Sequence, residues 1–509
     1  MLVLAFDIGR VAFIESHWDE DACISISWLL SKGWRLYGDV FSHHMPLDYI
    51  PGWAIASLFG NRFEVFRGFM IFLWAAACSG LFFSLRRHES ESARLVPFLF
   101  AVLSSQWLTY WMGQMMLVES YWGYAIILLL ATIGGPIGLP SRRVHGGAAV
   151  LVGFLMGLLL SASLTCVLPF ACLAAWMRGD GDWRGAWKGL LGGFAAWSGL
   201  FFLWCLAHVD LAQWYRQAVG FNVDVYARFQ HFELANPFLG LILKAFKETA
   251  AYFLAAGYGS PLERYFEGIL KAGLLGWIGW NLVNRRFFAA LWWLIFIVSI
   301  KARSERFIYT APLHSTPFFL VAVLVLSVEM AGIWSFIRRR NGLRVSLAAA
   351  FAGAVLLAPT LIATSLATAS LKEYAGNNPR HERLLAAIRK CTASSDRLAA
   401  FPFYSRVYFD SERLPAIPNV FYLPWQAAWP PQHSGTLGGL ERSRPKVVII
   451  QDTSIWGIPW SQYGHDVEAW VRNRYVPIIL DLASGGGAGV QLYVLKDEAA
   501  EFVRCAEEK

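Results

Sequence analysis

Residues 148–177 read AAVLVGFLMGLLLSASLTCVLPFACLAAWM, a run that contains no charged side chain. A helix that crosses a bilayer needs about 20 apolar residues, so this run is too long for one crossing. Pro169 interrupts its second half, and proline bends or ends a helix. The run therefore predicts two tilted or bent helices that meet near residues 161–165, and with them a membrane-embedded fold.

The composition of the whole chain agrees with that interpretation. Of 509 residues, 56% are hydrophobic and only 16% are charged, whereas soluble domains carry about one quarter charged residues. This excludes a soluble enzyme. The 24 Trp and 37 Phe exclude a disordered chain, and 7 Cys are too few for a disulfide-rich secreted scaffold.

Further apolar stretches of spanning length are distributed along the first 370 residues. With the short segment 1–14 they predict about 11 transmembrane helices. The additional stretches lie near 66–85, 95–112, 116–135, 188–208, 266–283, 287–300, 309–333 and 344–366. The more polar run 239–258 contains Lys244, Lys247 and Glu248, which predicts an interfacial helix rather than a span.

Basic residues fall on every second connection between these stretches, which assigns those connections to the cytoplasm. They are Arg86 and Arg87, Arg142 and Arg143, Arg178 with Arg184 and Lys188, Arg285 and Arg286, and Arg338 to Arg340. The formal net charge of +8 is thus explained by topology. The bilayer is the predicted partner, and a nucleic acid, which requires a contiguous basic stripe, is not.

The alternation leaves the loops at about 15–51 and 208–263, and everything after about 370, outside the cytoplasm. We predict a transmembrane module at 1–370 and a small soluble α/β domain at 371–509. In that domain 381–390 and 465–474 have helical periodicity, and 397–401, 446–451 and 489–495 are typical of short strands. Cys391 and Cys505 either form a disulfide in an oxidising compartment or are unrelated, and the sequence leaves both alternatives open.

Candidate chemistry concentrates in the first outer loop. Asp19, Glu20 and Asp21 follow one another directly after the first predicted crossing. They could form a solvated acidic cap on the next helix, because carboxylates stabilise a helix N-terminus. The remainder of the loop favours a functional role, since it contains Gly33, Tyr37, Asp39, His43, His44, Pro46 and Leu47.

These residues resemble those of a known family, the membrane-embedded GT-C glycosyltransferases of the protein O-mannosyltransferase and aminoarabinose-transferase type, which use polyprenyl-phosphate sugars. The resemblance is carried by Trp18-Asp19-Glu20, by an amphipathic segment to Leu30, and by GWRLYGDVFSHHMPL at 33–47. The plan of many helices followed by a soluble C-terminal domain is also similar. The resemblance implies a GT-C fold and a glycosyltransferase activity.

The resemblance also implies roles for individual residues. Asp19 resembles the family's catalytic aspartate and Glu20 its acidic partner, while Glu119 lies where the family usually has a second acidic residue, an aspartate. Inverting transfer from a lipid-phosphate sugar needs a base for the acceptor hydroxyl. It also needs donors or cations that stabilise the departing phosphate.

For that phosphate the candidates are His43, His44, Arg303 and Arg306. Arginine offers a planar fork of donors that suits phosphate, although arginines at this border could simply anchor the chain to lipid headgroups. Tyr37, Asp39 and Tyr309 are the candidate substrate-binding residues. Adjacent histidines are a weak metal signal, so the sequence predicts no metal and no cofactor.

The leading hypothesis is an inverting glycosyltransferase of the bacterial inner membrane, with its active site and C-terminal domain in the periplasm. The donor would be a polyprenyl-phosphate sugar and the acceptor a lipid, a glycan or a protein. The alternative is a transporter or flippase of a lipid-linked or small polar substrate. Transporters usually show internal repeats and mid-membrane charges, whereas the acidic residues here cluster at one face.

Overall fold

Helices account for almost all regular structure before residue 381 in the described part of the chain. The computed structural model describes residues 18–69, 146–162, 167–179, 186–226, 261–301, 381–455, 457–478 and 490–507, with scattered helical positions within 72–79 and 229–254. The longer helices are α1 (Trp18–Ser31), α2 (Ile50–Phe59), α3 (Gly146–Ala162), α4 (Val167–Gly179), α5 (Trp187–His208), α6 (Pro261–Val283), α7 (Phe287–Lys301), α8 (381–391), α9 (Pro430–Ser443), α10 (His465–Arg474) and α11 (Ala499–Glu507).

Two helices occupy the charge-free run, and residues 163–166 between them lie outside the described residues. Helix α3 ends at Ala162 and α4 begins at Val167, on either side of the predicted junction. The predicted stretches 188–208 and 287–300 correspond to α5 and α7, while α6 begins five residues before the predicted 266. Several predicted stretches lie outside the described residues: 1–14, most of 66–85, 95–112, 116–135, 309–333 and 344–366. The predicted number of transmembrane helices is therefore not tested.

Helices α3 and α5 contact each other through glycines that allow a very close backbone approach. A Cβ added to Gly153 would lie 1.9 Å from the carbonyl oxygen of Leu190, and one added to Gly193 would lie 1.9 Å from that of Val150. Small residues are typical of helix interfaces within membranes. Trp197 adds a polar contact, because its Nε1 donates to Ser161 Oγ at 2.9 Å.

One helix among the described residues, α5, is long and apolar enough to cross a membrane, and Gly146–Ala162 and Phe287–Val298 are shorter apolar helices. Leu191, Leu200 and Leu203 of α5 are more than half exposed. A helix that is apolar on all sides and carries exposed leucines suits a lipid environment.

The C-terminal region contains a four-stranded sheet in the order β1-β2-β6-β5. Its strands are β1 (Leu398–Phe401), β2 (Val447–Gln451), β5 (Tyr475–Ile478) and β6 (Val490–Leu495), and β3 (Ser454–Ile455) pairs with β4 (Ile458–Pro459) in a separate hairpin. Strands β1 and β2 are parallel, with Leu398 opposite Val447, and the other pairs are antiparallel. Because β1 is buried along its whole length, its sequence LAAF lacks polar alternation.

Strand β5 was missing from the sequence prediction. It follows α10 without a loop, and it contains Pro477. Proline cannot donate to a sheet and is confined to edges, which is where β5 lies in the strand order. The other three strands and both helices of the predicted domain are confirmed within one residue.

Cys391 and Cys505 form a disulfide, with 5.7 Å between their Cα atoms. This decides between the two alternatives that the sequence left open. The bond joins the end of α8 to α11 across 114 positions of the chain. It therefore closes the C-terminal region near both of its ends.

The chain divides into two units. The first, here the helical unit, comprises 1–14, 67–203 and 232–369. The second, here the mixed unit, comprises 15–66, 204–231 and 370–509. The division after 369 agrees with the change in composition near 370. The mixed unit, however, also contains the first outer loop and the segment that comes after α5.

Candidate active site

Helix α1 carries the acidic cluster in its first turn and is buried along most of its length. Glu20 is 0% exposed, and every residue from Ala22 to Leu30 is buried. The segment is therefore not amphipathic, and a solvated acidic cap does not describe Glu20. The side chain of Asp19 lies outside the described part of the structure.

Two serines in the buried part of α1 form hydrogen bonds to the backbone of neighbouring segments. Ser25 Oγ donates to the carbonyl of Ser405 at 2.8 Å, and Ser27 Oγ donates to that of Tyr49. Gly52 of α2 lies so close that an added Cβ would be 2.3 Å from Ser27 Oγ. These contacts hold α1 between α2 and the C-terminal part of the mixed unit.

The helical segment Arg406–Ser411 lies along α1. The rings of Trp28 and Phe409 meet edge to face, with 6.4 Å between their centroids. Phe409 also meets Phe66 at 5.6 Å. The sequence does not predict this segment, because nothing local in it indicates that a helix some 380 positions away covers it.

Arg406 is the basic residue that this segment brings to the acidic turn. Its Nε donates to Asp410 Oδ2 at 2.7 Å, and its guanidinium lies 4.1 Å from the centre of the Phe63 ring. Burial alone would lower the pKa of Arg406, but the charges of Asp410, Asp21 and Glu20 outweigh it and raise that pKa. One cation thus faces three carboxylates.

Asp410 is fixed from a second direction by α8. His381 Nε2 lies 2.8 Å from Asp410 Oδ2, and His381 Nδ1 lies 3.0 Å from the hydroxyl of Tyr404. Burial would raise the pKa of Asp410, yet the hydrogen bond from His381 and the charge of Arg406 hold it below its usual value. Asp410 is therefore a carboxylate that remains ionised although its side chain is only 12% exposed.

The tract at 33–47 forms a tight loop after α1. Gly33 ends the helix with a φ of 89°, in the region that favours glycine. Tyr37 is buried and donates its hydroxyl to the carbonyl of His44, and burial raises its pKa. Asp39 is exposed, and its Oδ2 accepts from the backbone N–H of Arg35 at 2.7 Å.

His43 and His44 lie at the end of this loop. His44 Nδ1 is 3.5 Å from Asp48 Oδ2, and the two imidazole rings are 4.4 Å apart. The ring of His43 also contacts Phe221, Tyr226 and Phe421 at 5.5–6.0 Å. Both histidines are half-buried, and His43 contacts aromatic side chains from two other parts of the mixed unit.

The segment after α5 holds the backbone of this loop, which the sequence did not indicate. Gln217 Nε2 donates to the carbonyl of Tyr37 at 2.7 Å, and its Oε1 accepts from the N–H of Ser42. Asn222 Nδ2 donates to the carbonyl of His43 at 2.8 Å. Amides suit this task because each carries both a donor and an acceptor.

Four predicted site residues lie outside the described residues: Glu119, Arg303, Arg306 and Tyr309. Among the residues that the structure does describe, no group of three or more His, Cys, Asp or Glu side chains could hold a metal ion. Asp19, Glu20, His43, His44, Tyr37 and Asp39 all belong to the mixed unit.

The fold belongs to a known class of membrane protein. The solved structures that the chain resembles include GT-C glycosyltransferases, as the resemblance in the first outer loop implied, and the chain shares their helical fold. No protein-family model and no curated protein sequence matches it.

Two proteins illustrate the likeness. The first is ArnT from Cupriavidus metallidurans bound to undecaprenyl phosphate, with a TM-score of 0.56, 12% identity, and 97% of this chain and 96% of that chain covered. The second is the Archaeoglobus fulgidus oligosaccharyltransferase tethered to an acceptor peptide that contains an NVT sequon, with a TM-score of 0.55, 12% identity, and 96% and 73% covered. At this identity the likeness shows the fold.

Proposed function

We propose that this chain is an inverting glycosyltransferase that takes a sugar from a polyprenyl-phosphate donor. The observation that carries the proposal is the acidic first turn of α1, in which Glu20 is fully buried and the charges of Glu20 and Asp21 act on Arg406. Burying carboxylates is costly unless a cation compensates them. A merely solvated cap would not need this arrangement, and the GT-C fold supplies the chemical context.

In the proposed step, the carboxylate of Asp19 accepts the proton of an acceptor hydroxyl. The freed oxygen attacks the anomeric carbon, the bond from that carbon to the phosphate oxygen breaks, and polyprenyl phosphate leaves with the bonding electrons. Glu20 supports Asp19, and Glu119 contributes a second carboxylate. The configuration at the anomeric carbon is inverted because attack and departure occur on opposite faces.

His43, His44, Arg303 and Arg306 are proposed to stabilise the leaving phosphate, a role for which positively charged donors are suited. Tyr37, Asp39 and Tyr309 are proposed to shape the substrate site. For Tyr37 the contact with the carbonyl of His44 supports an indirect role, in which it fixes the histidine loop. In the proposed step no divalent cation takes part, since these residues supply the positive charge.

The proposed location is the bacterial inner membrane, with about 11 transmembrane helices and with the mixed unit in the periplasm. The disulfide supports that side, because disulfides persist in oxidising compartments. The acceptor is a lipid, a glycan or a protein in the same compartment.

The test uses the purified full-length chain in liposomes loaded with radiolabelled polyprenyl-phosphate sugars and cell-envelope extract as acceptor. We expect label to leave the donor lipid while unlabelled polyprenyl phosphate accumulates. A transporter or flippase would instead move the label across the bilayer with its phosphate linkage intact. That result, without transfer, would contradict the proposal.

A further inference from the structure

We propose that Arg406 is a positioning residue for the acidic turn of α1: its guanidinium, held by Asp410, orients the carboxylates of Glu20 and Asp21. Asp19, the proposed base, lies in the same turn of the helix. The inference rests on the proposed glycosyltransferase function. It assigns to the C-terminal part of the mixed unit a direct part in building the active site.

A hydrogen bond from α1 places the segment that carries Arg406 beside α1. Ser25 Oγ donates to the carbonyl of Ser405, the residue directly before Arg406, and both partners are buried. Asp21 lies four positions before Ser25, and residues four apart share a face of a helix. Asp21 therefore projects from α1 on the side that faces the segment carrying Arg406.

Arg406 is held on its other sides as well. Asp410 is four residues further along the same short helix and bonds Nε at 2.7 Å, which engages one of the five N–H donors of a guanidinium. The ring of Phe63 lies 4.1 Å from the guanidinium carbon, a distance at which a cation is attracted to an aromatic face. These two contacts fix the plane of the guanidinium.

The charges around Arg406 make its role specific. The charged and titratable groups that face it are Asp410 from its own segment, with His381 behind Asp410, and Glu20 and Asp21 from α1. Glu20 is fully buried and the side chain of Asp410 nearly so. Without Arg406, these carboxylates would lose the cation that compensates their charge, and burying a carboxylate without such a cation is costly.

The experiment compares Arg406→Gln, Arg406→Lys and the matched control Arg472→Gln in the full-length protein. Arg472 forms a similar i, i+4 pair with Glu468, but its side chain is 65% exposed. Arg406→Gln should lower kcat at least tenfold with little change in donor KM, and should shift the acidic limb of the kcat–pH profile upward by about one unit. Arg406→Lys should restore most of that shift, and Arg472→Gln should match wild type. An unchanged rate and profile in Arg406→Gln would overturn the inference.

A second measurement does not depend on activity. The melting temperatures of Asp21→Asn, Arg406→Gln and the double variant form a cycle, which the uncharged Arg406→Met can complete if Arg406→Gln does not insert. We expect the two changes to be non-additive, since each removes the partner of the other. Additive effects would overturn the inference even in an active enzyme. Non-additive effects in a protein that transfers no sugar would instead place the failure in the proposed function.

Discussion

The contacts that stabilise the helical unit differ in kind from those that stabilise the mixed unit. In the helical unit, α3 and α5 approach through Gly153 and Gly193, and few side-chain hydrogen bonds cross between the described helices. In the mixed unit, a disulfide, an Arg–Asp–His network and hydrogen bonds from Ser25, Gln217 and Asn222 join distant segments. Close packing of small residues is enough to stabilise helices in a membrane, whereas the proposed active site depends on polar groups held in fixed positions.

The largest effect on stability should come from the disulfide of the mixed unit. Replacing Cys391 and Cys505 together by serine frees a loop of 114 positions and should destabilise this unit by about 4 kcal/mol on the chain-entropy model. Thermal unfolding of the double variant, followed by tryptophan fluorescence, measures the change. Replacing buried Cys205 alone is the control, since that thiol forms no bridge. Equal melting temperatures for wild type and the double variant would contradict this account.

Substitution of a glycine tests whether the close approach of α3 and α5 stabilises the helical unit. Gly193→Ala places a Cβ where the backbone of α3 already lies, and should destabilise the contact by about 3 kcal/mol. Gly192→Ala is the matched control, because an added Cβ there meets nothing within 4 Å. Alanine in an open helical position should be neutral or slightly stabilising. Equal melting temperatures of the two variants in detergent would show that close approach does not stabilise this unit.

These two predictions show what the sequence can and cannot provide. The helices on either side of 163–166 and the bounds of α5 and α7 could be predicted from composition, because membrane helices carry their signal locally. Three of the four strands of the sheet could also be predicted from local sequence patterns, and the exception is the edge strand that contains Pro477. Arg406, Gln217 and Asn222 were missed because their importance depends on contacts with residues about 180 to 390 positions away, and a single sequence does not encode such pairings visibly.

The network around Asp410 should make the stability of the mixed unit depend on pH. Since the pKa of Asp410 is lower in the folded than in the unfolded protein, its contribution is complete above about pH 4 and is lost as pH falls through the folded pKa. Wild type should therefore be more stable than Asp410→Asn at pH 7, and the difference should shrink by pH 3. Melting temperatures at both values measure it. A difference that grows on acidification would contradict the assigned charge state.

The smallest change in melting temperature is expected for an ion pair on the surface of the mixed unit. Arg472 and Glu468 pair on α10, where the Arg472 side chain is 65% exposed. Exposed pairs contribute at most about 0.5 kcal/mol, and salt weakens them further. Glu468→Gln should thus leave the melting temperature almost unchanged. A fall in melting temperature as large as that of Asp410→Asn would contradict the expectation that exposed ion pairs stabilise this unit less than buried ones.

The central claim is that the acidic first turn of α1 performs the chemistry. Its most direct test is the single-turnover rate of sugar transfer by Asp19→Asn, with exposed Asp497→Asn as the carboxylate control. We expect Asp19→Asn to insert and melt like wild type but to transfer about 10² to 10⁴ times more slowly, the usual cost of removing a general base. A rate for Asp19→Asn equal to that of wild type and of Asp497→Asn would contradict the claim.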